Sequence, residues 1–151
     1  MIKCHCYILL TNNTWRKIEQ KKEKFIMDNS DVEKIEKILE ERKSTHDFLI
    51  ERSKTYGSFI ELAKNAFSPG VLDSKTKELM AVSISVVIHC EACAVWHIGA
   101  ALRAGATDQE ILESMDVAIE LGGGPATVSI RFALKALEYF RTKGKKQIMR
   151  Q

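Results

Sequence analysis

Two cysteines and a histidine stand at a spacing that supports chemistry: Cys90, Cys93 and His97, within His89-Cys90-Glu91-Ala92-Cys93-Ala94-Val95-Trp96-His97. Two thiols separated by two residues at a helix start can close a disulfide within one turn. Helix N-terminal amides also favour the thiolate form. At 3.6 residues per turn, the three side chains fall within an arc of about 60°. His97 then sits one turn beyond Cys93, where an imidazole takes a thiol proton and pairs with the thiolate. Glu78, twelve residues before Cys90, is the carboxylate that could complete the set. On one unbroken helix it would lie about 18 Å from Cys90 along the axis. It approaches only if the chain turns back near His89, and composition does not show that turn.

The same residues admit two other readings. Cysteines three apart in an Ala-rich helix serve as small buried hydrophobes, and a nearby histidine as a satisfied core residue. A metal site is the sharper rival, with Cys90, Cys93 and His97 as soft ligands and Glu78 or His89 as the fourth. Structural zinc sites join two ligand pairs from separate segments. The only second pair on offer is Cys4-His5-Cys6, in a stretch unlike the rest of the chain. The redox dithiol is the reading the spacing favours.

The elements that must position these residues are helical. From Asp31 the apolar residues Val32, Ile35, Ile38/Leu39, His46 and Leu49 recur at three or four, which predicts a long amphipathic helix to about Lys54. Ser30-Asp-Val-Glu33 reads as its capping box. Tyr56 to Phe67 reads as a second helix, ended by Ser68-Pro69-Gly70. Asp73 caps a third, Ser74 to about Ile88, and its apolar run from Leu79 to Cys90 reads as buried. Thr107-Asp-Gln-Glu110 is another capping box, opening a helix with Ile111, Leu112, Met115, Ala118 and Ile119 inward. Gly122-Gly-Gly-Pro125 breaks it, as a helix end followed by a proline in the next first turn. The last helix runs from Ala126 to about Lys143. No segment alternates with period two, so the fold class is all-α.

The chain's 151 residues make one domain, large enough to fold without disulfide staples. The 12-residue run from Leu79 to Cys90 is too short to span a bilayer. The N-terminus lacks the basic region and long apolar core of a signal peptide, which predicts a cytoplasmic protein. The net charge of +3 is uneven. Residues 73–140 carry 5 Lys+Arg against 9 Asp+Glu, whereas Arg141 to Gln151 carries 5 basic residues and no acid. That tail reads as a solvated helix end rather than a nucleic-acid or membrane contact. Residues 1–29 read as an N-terminal extension, 30–143 as the domain and 144–151 as a basic tail.

Glu78, eleven residues, Cys90-x-x-Cys93, three residues and His97 together resemble the signature of the carboxymuconolactone decarboxylase/AhpD-like superfamily. The flanking text agrees: Pro69-Gly-Val-Leu-Asp-Ser-Lys-Thr-Lys-Glu78 before it, Ala101-Leu-Arg-Ala-Gly-Ala-Thr107 after it, then Gly122-Gly-Gly-Pro125. The likeness covers about residues 30–140. It implies an AhpD-like fold of about six helices, a turn near His89, and a homo-oligomer, commonly a trimer or hexamer. In the AhpD branch, alkylhydroperoxidases reduce peroxides or recycle a peroxiredoxin. The resemblance makes Cys93 the residue oxidised to a sulfenic acid, Cys90 the resolving thiol, and Glu78 and His97 the proton relay. It implies no cofactor, and a thioredoxin-like or lipoylated dithiol protein as reductant. AhpD has a histidine immediately before its second cysteine. Here that residue is Ala92, so the relay is one member shorter and the expected peroxidase activity weaker. The rival functions are a cofactor-free decarboxylase or lactone-processing enzyme using Glu78 and His97, and a non-catalytic metal-binding protein.

Overall fold

The computed structural model describes residues 27–143. Cys4, Cys6 and the rest of 1–26, and the basic residues 144–151, lie outside the described residues. Helix α1, Asn29–Arg52, starts two residues earlier than its periodicity suggests, because Asp28 caps it. Asp28 accepts from the Asp31 amide and the Asp31 side chain accepts from the Asp28 amide, so the capping box uses these two aspartates and not Ser30 and Glu33. Ser53 ends α1 and caps α2, Lys54–Phe67. Asp73 caps α3, Ser74–Val87, as expected. Helix α4 is Glu91–Arg103, and α5 is Asp108–Lys143, opened by the reciprocal Thr107 and Glu110 bonds.

Helix α5 is two helices joined across a kink. Gly123 has φ 58° and ψ −144°, outside the helical region and in a conformation that favours glycine. The two limbs, 108–122 and 124–143, therefore act as separate helices, giving six helical segments among the described residues. Gly122 lets the two limbs of α5 close on each other: a β-carbon there would stand only 2.8 Å from Ala126 Cβ, whereas Val87 Cγ2 of α3 would be at an ordinary 3.6 Å. No strand occurs among the described residues, and the fold is all-α.

Helices α3, α4 and α5 pack together around Val82, Val86, Val95, Ile98, Ile111, Met115 and Tyr139, all fully or almost fully buried. Helix α1 joins this core through Ile35, which is completely buried, and through an ion pair of Asp31 with Lys135 at 2.6 Å. The apolar run in α3 is not buried all round. Ala81, Val82 and Val86 face the core, but Met80, Ile84 and Ile88 are 52%, 58% and 60% exposed. Their spacing of four places them on one outward stripe. Ile119, expected to point inward, is also exposed, as are its neighbours Val117 and Leu121. No described helix is long and apolar enough to cross a membrane.

Candidate functional site

The turn that the site requires is built at the end of α3. Ile88 caps the helix, and His89 adopts a left-handed conformation with φ 56°. The His89 amide donates to Val86 O at 3.2 Å and the Cys90 amide to Ser85 O at 2.9 Å. These two bonds form a Schellman motif. The chain thereby reverses within three residues, and α4 packs back along α3. No glycine or proline marks this turn, which is why the residue types around His89 do not reveal it.

The reversal brings Glu78 to His97. His97 Nδ1 donates to Glu78 Oε2 at 2.7 Å, and the two side chains are only 19% and 12% exposed. With Nδ1 committed to the carboxylate, Nε2 is the ring nitrogen this pair leaves for other contacts. Phe67, the last residue of α2, stacks on the imidazole with ring centroids 5.2 Å apart and planes tilted by 25°. It covers one face of the ring and fixes its plane.

Cys90 and Cys93 are joined by a disulfide, with Cα atoms 5.2 Å apart. Cys90 is the N-cap of α4 and not part of its first turn, as an unbroken helical arc would have it. Its Sγ accepts the Cys93 amide at 3.2 Å, so the helix N-terminus serves this sulfur directly. Cys93 lies inside the helix, one turn before His97 on the same face. Both cysteines are half-buried. The four residues expected to do chemistry thus lie on one hairpin of α3 and α4.

Sequence reasoning missed a second layer. Trp96, beside His97, lies between two arginines: the Arg42 guanidinium from α1 stands 3.5 Å from its ring centroid and that of Arg103 5.3 Å. Both side chains reach the surface, but their guanidinium ends are partly covered. That desolvation lowers the pKa of each, and repulsion between them adds to the effect at Arg42. The Glu78 carboxylate opposes the shift at both, so its charge is felt by the pair. Trp96 and Arg103 are seven apart on one helix, the only local hint; Arg42 is 54 residues from Trp96 and leaves none. Near the start of α4, Lys34 pairs with Glu91 at 2.6 Å, and His89 Nδ1 is hydrogen-bonded to Ser129 Oγ at 2.5 Å. Among the described residues, no three His, Cys, Asp or Glu side chains converge in a manner that would hold a metal ion.

Residues 54–137 match the profile of the carboxymuconolactone decarboxylase family, and the chain belongs to that family. It is 38% identical over 81 residues to a Paracoccus denitrificans protein, uncharacterised protein 4 of the cox locus, covering 54% of this chain and 73% of that one. An uncharacterised protein of Cupriavidus necator is 39% identical over 83 residues, covering 55% and 71%. Among solved structures, a carboxymuconolactone decarboxylase family protein from Legionella pneumophila is similar with a TM-score of 0.67 and 32% identity, covering 71% of this chain and 96% of its own. A Thermotoga maritima family member, described as "possibly involved in antioxidative response", aligns with a TM-score of 0.67 and 32% identity, covering 74% and 95%.

Proposed function

We propose that this protein is a thiol-dependent peroxidase and disulfide oxidoreductase that reduces hydroperoxides, or recycles a peroxiredoxin, through Cys90 and Cys93. The observation that carries this reading is the Cys90–Cys93 disulfide one helical turn before a His97 hydrogen-bonded to Glu78. The Cys93 thiolate attacks the distal peroxide oxygen, the O–O bond breaks, and the leaving alkoxide takes a proton supplied through His97. Cys93 becomes a sulfenic acid. The Cys90 sulfur then displaces hydroxide, which leaves as water, and the disulfide forms. An external dithiol, thioredoxin-like or lipoylated, returns both thiols by exchange and is itself oxidised to a disulfide. No bound cofactor enters the cycle. A dithiol cycle of this kind suits a reducing compartment, in keeping with a cytoplasmic placement.

The chain works as a homo-oligomer in this reading. The outward stripe of Met80, Ile84 and Ile88, with Val117 and Leu121, supports a subunit contact. The Glu78–His97 pair by itself also supports a second reading, acid–base decarboxylase or lactone chemistry with the cysteines as bystanders. Titration of free thiols before and after one equivalent of peroxide separates the two. The peroxidase reading expects two thiols lost per subunit beyond those at Cys4 and Cys6, and a mass change of two hydrogens localised to the peptide holding Cys90 and Cys93. No thiol loss would leave the acid–base reading.

A further inference from the structure

The mechanism above uses His97 for Cys93 and assigns no proton partner to Cys90. The fold places one beside it. His89 sits at the αL position of a Schellman turn, where glycine is the ordinary residue; at the end of α4 the same motif is closed by Gly105, φ 89°. A histidine at φ 56° is strained where a glycine would not be, and such strain concentrates at functional sites. The imidazole is also held from a distance: Ser129, forty residues on, fixes Nδ1 at 2.5 Å. His89, Cys90, Ser129, Glu91 and Phe132 line one narrow cleft, and Cys93 and His97 are not among its lining residues. The other charges at this cleft are mutually paired, since Lys34 of α1 bonds Glu91 at 2.6 Å while lying 4.4 Å from the Phe132 ring centroid. From α3 the cleft receives only Ser85, whose hydroxyl donates to Ala81 O.

We propose that His89, held by Ser129, handles the proton of Cys90, and that Cys90, at the rim of the cleft they line, is the sulfur an external dithiol attacks. This rests on the dithiol cycle proposed above and assigns its reductive half. One thiolate of the dithiol attacks Cys90 Sγ, the Cys90–Cys93 bond breaks, and Cys93 leaves as a thiolate protonated through His97. The second thiolate of the dithiol then attacks the mixed disulfide, and Cys90 leaves as a thiolate that takes its proton from the His89 imidazolium. Two protons and two electrons pass from the dithiol to the protein, and the dithiol becomes a disulfide. The cycle thereby has one acid–base group per sulfur.

The test measures reduction without peroxide. The disulfide is formed with diamide in the full chain and reduced by dihydrolipoamide, with alkylation and intact mass as the readout across pH 6 to 8.5. His89→Asn keeps a residue tolerant of left-handed backbone, and His89→Gly removes the strain, so both should fold. Both should reduce roughly ten- to a hundredfold more slowly than wild type, with an altered pH profile. Ser129→Ala, which frees the ring but keeps it, should fall between. With Cys4 and Cys6 also replaced by serine, Cys93→Ser should exchange with an aromatic disulfide faster than Cys90→Ser. Wild-type rates and an unchanged pH profile in both His89 variants, or faster exchange at Cys93, would overturn the proposal. If the wild-type disulfide is reduced normally but peroxide never forms it, the peroxidase reading fails and this one stands.

Discussion

Replacing Glu78 tests the acid–base half of the site most directly. Its bond to His97 is 2.7 Å long and both side chains are largely buried, so water does not substitute for it freely. A hydrogen bond to a charged group contributes about 1.5–3 kcal/mol, against about 1 kcal/mol for a neutral one. Glu78→Gln keeps the shape and an acceptor for Nδ1 but removes the charge, which amounts to a loss of about 1–1.5 kcal/mol. At 1.4 kcal/mol per factor of ten, that slows proton transfer at His97 roughly tenfold. Glu78→Ala leaves Nδ1 without its partner in a half-buried site, and the same arithmetic on a loss of about 2–3 kcal/mol gives a thirty- to hundredfold slowing. The assay is a single turnover: pre-reduced protein mixed with excess peroxide, quenched by alkylation, and weighed for the loss of two hydrogens. The expected order is wild type, then Gln, then Ala. If both variants match wild type within about twofold, the pair is structural and the relay assigned to it does not exist. If Ala slows and Gln does not, the carboxylate's charge is irrelevant and Glu78 only orients the ring.

Three further outcomes follow. Ile35→Ala should cost about 2–5 kcal/mol in denaturant unfolding, because Ile35 is completely buried and ties α1 to the core. Ile84→Lys, on the exposed α3 stripe, should reduce the assembly size seen by light scattering without altering the helical circular dichroism; a wild-type monomer at micromolar concentration would remove the expected interface. Glu110 bonds Lys75 at 2.6 Å and the Thr107 amide at 2.7 Å, and these hold its pKa at about 2 against an ordinary 4.5. Its folded value is depressed, so its stabilisation is complete above about pH 5 and is lost as pH falls towards 2. Glu110→Gln should therefore flatten the fall of the urea midpoint with acid, and an equally steep fall in the variant would show that the ion pair is not its source.

The helices were legible because their signals are local. Asp73 and the Thr107/Glu110 box act within one turn, and both appear where the spacing put them. The cap of α1 was misplaced because Asp28 and Ser30 are both competent caps two residues apart, and only the backbone decides between them. The outward faces of Ile84 and Ile119 were illegible for a different reason: periodicity marks an apolar face but not what covers it. For the site, Cys90, Cys93 and His97 could be grouped because one helix carries two of them and the third is its cap. Glu78 could be grouped only on the condition of a turn, and that turn is made by a histidine in a conformation that residue type predicts poorly. The Arg42–Trp96 contact had no local trace, because it depends on how α1 lies across α4.

That last contact bears on what tunes the site in this chain. The family match begins at residue 54, after α1 has ended. Yet α1 holds the cysteine helix at two points. Lys34 pairs with Glu91 in its first turn, and Arg42 covers Trp96 one turn further along, beside His97. Ile35 anchors the same helix between them by burial. Two polar contacts to exposed groups contribute little each. Tied to a buried anchor, however, they restrict the tilt of α4, and the His97–Glu78 bond depends on that tilt to within a few tenths of an ångström. A helix outside the matched region therefore touches the helix that carries Cys93 and His97. Loosening it at Ile35 should affect the acid–base pair as well as the fold, because Ile35 shares one buried core with Val82 and Val86 of α3 and Val95 and Ile98 of α4.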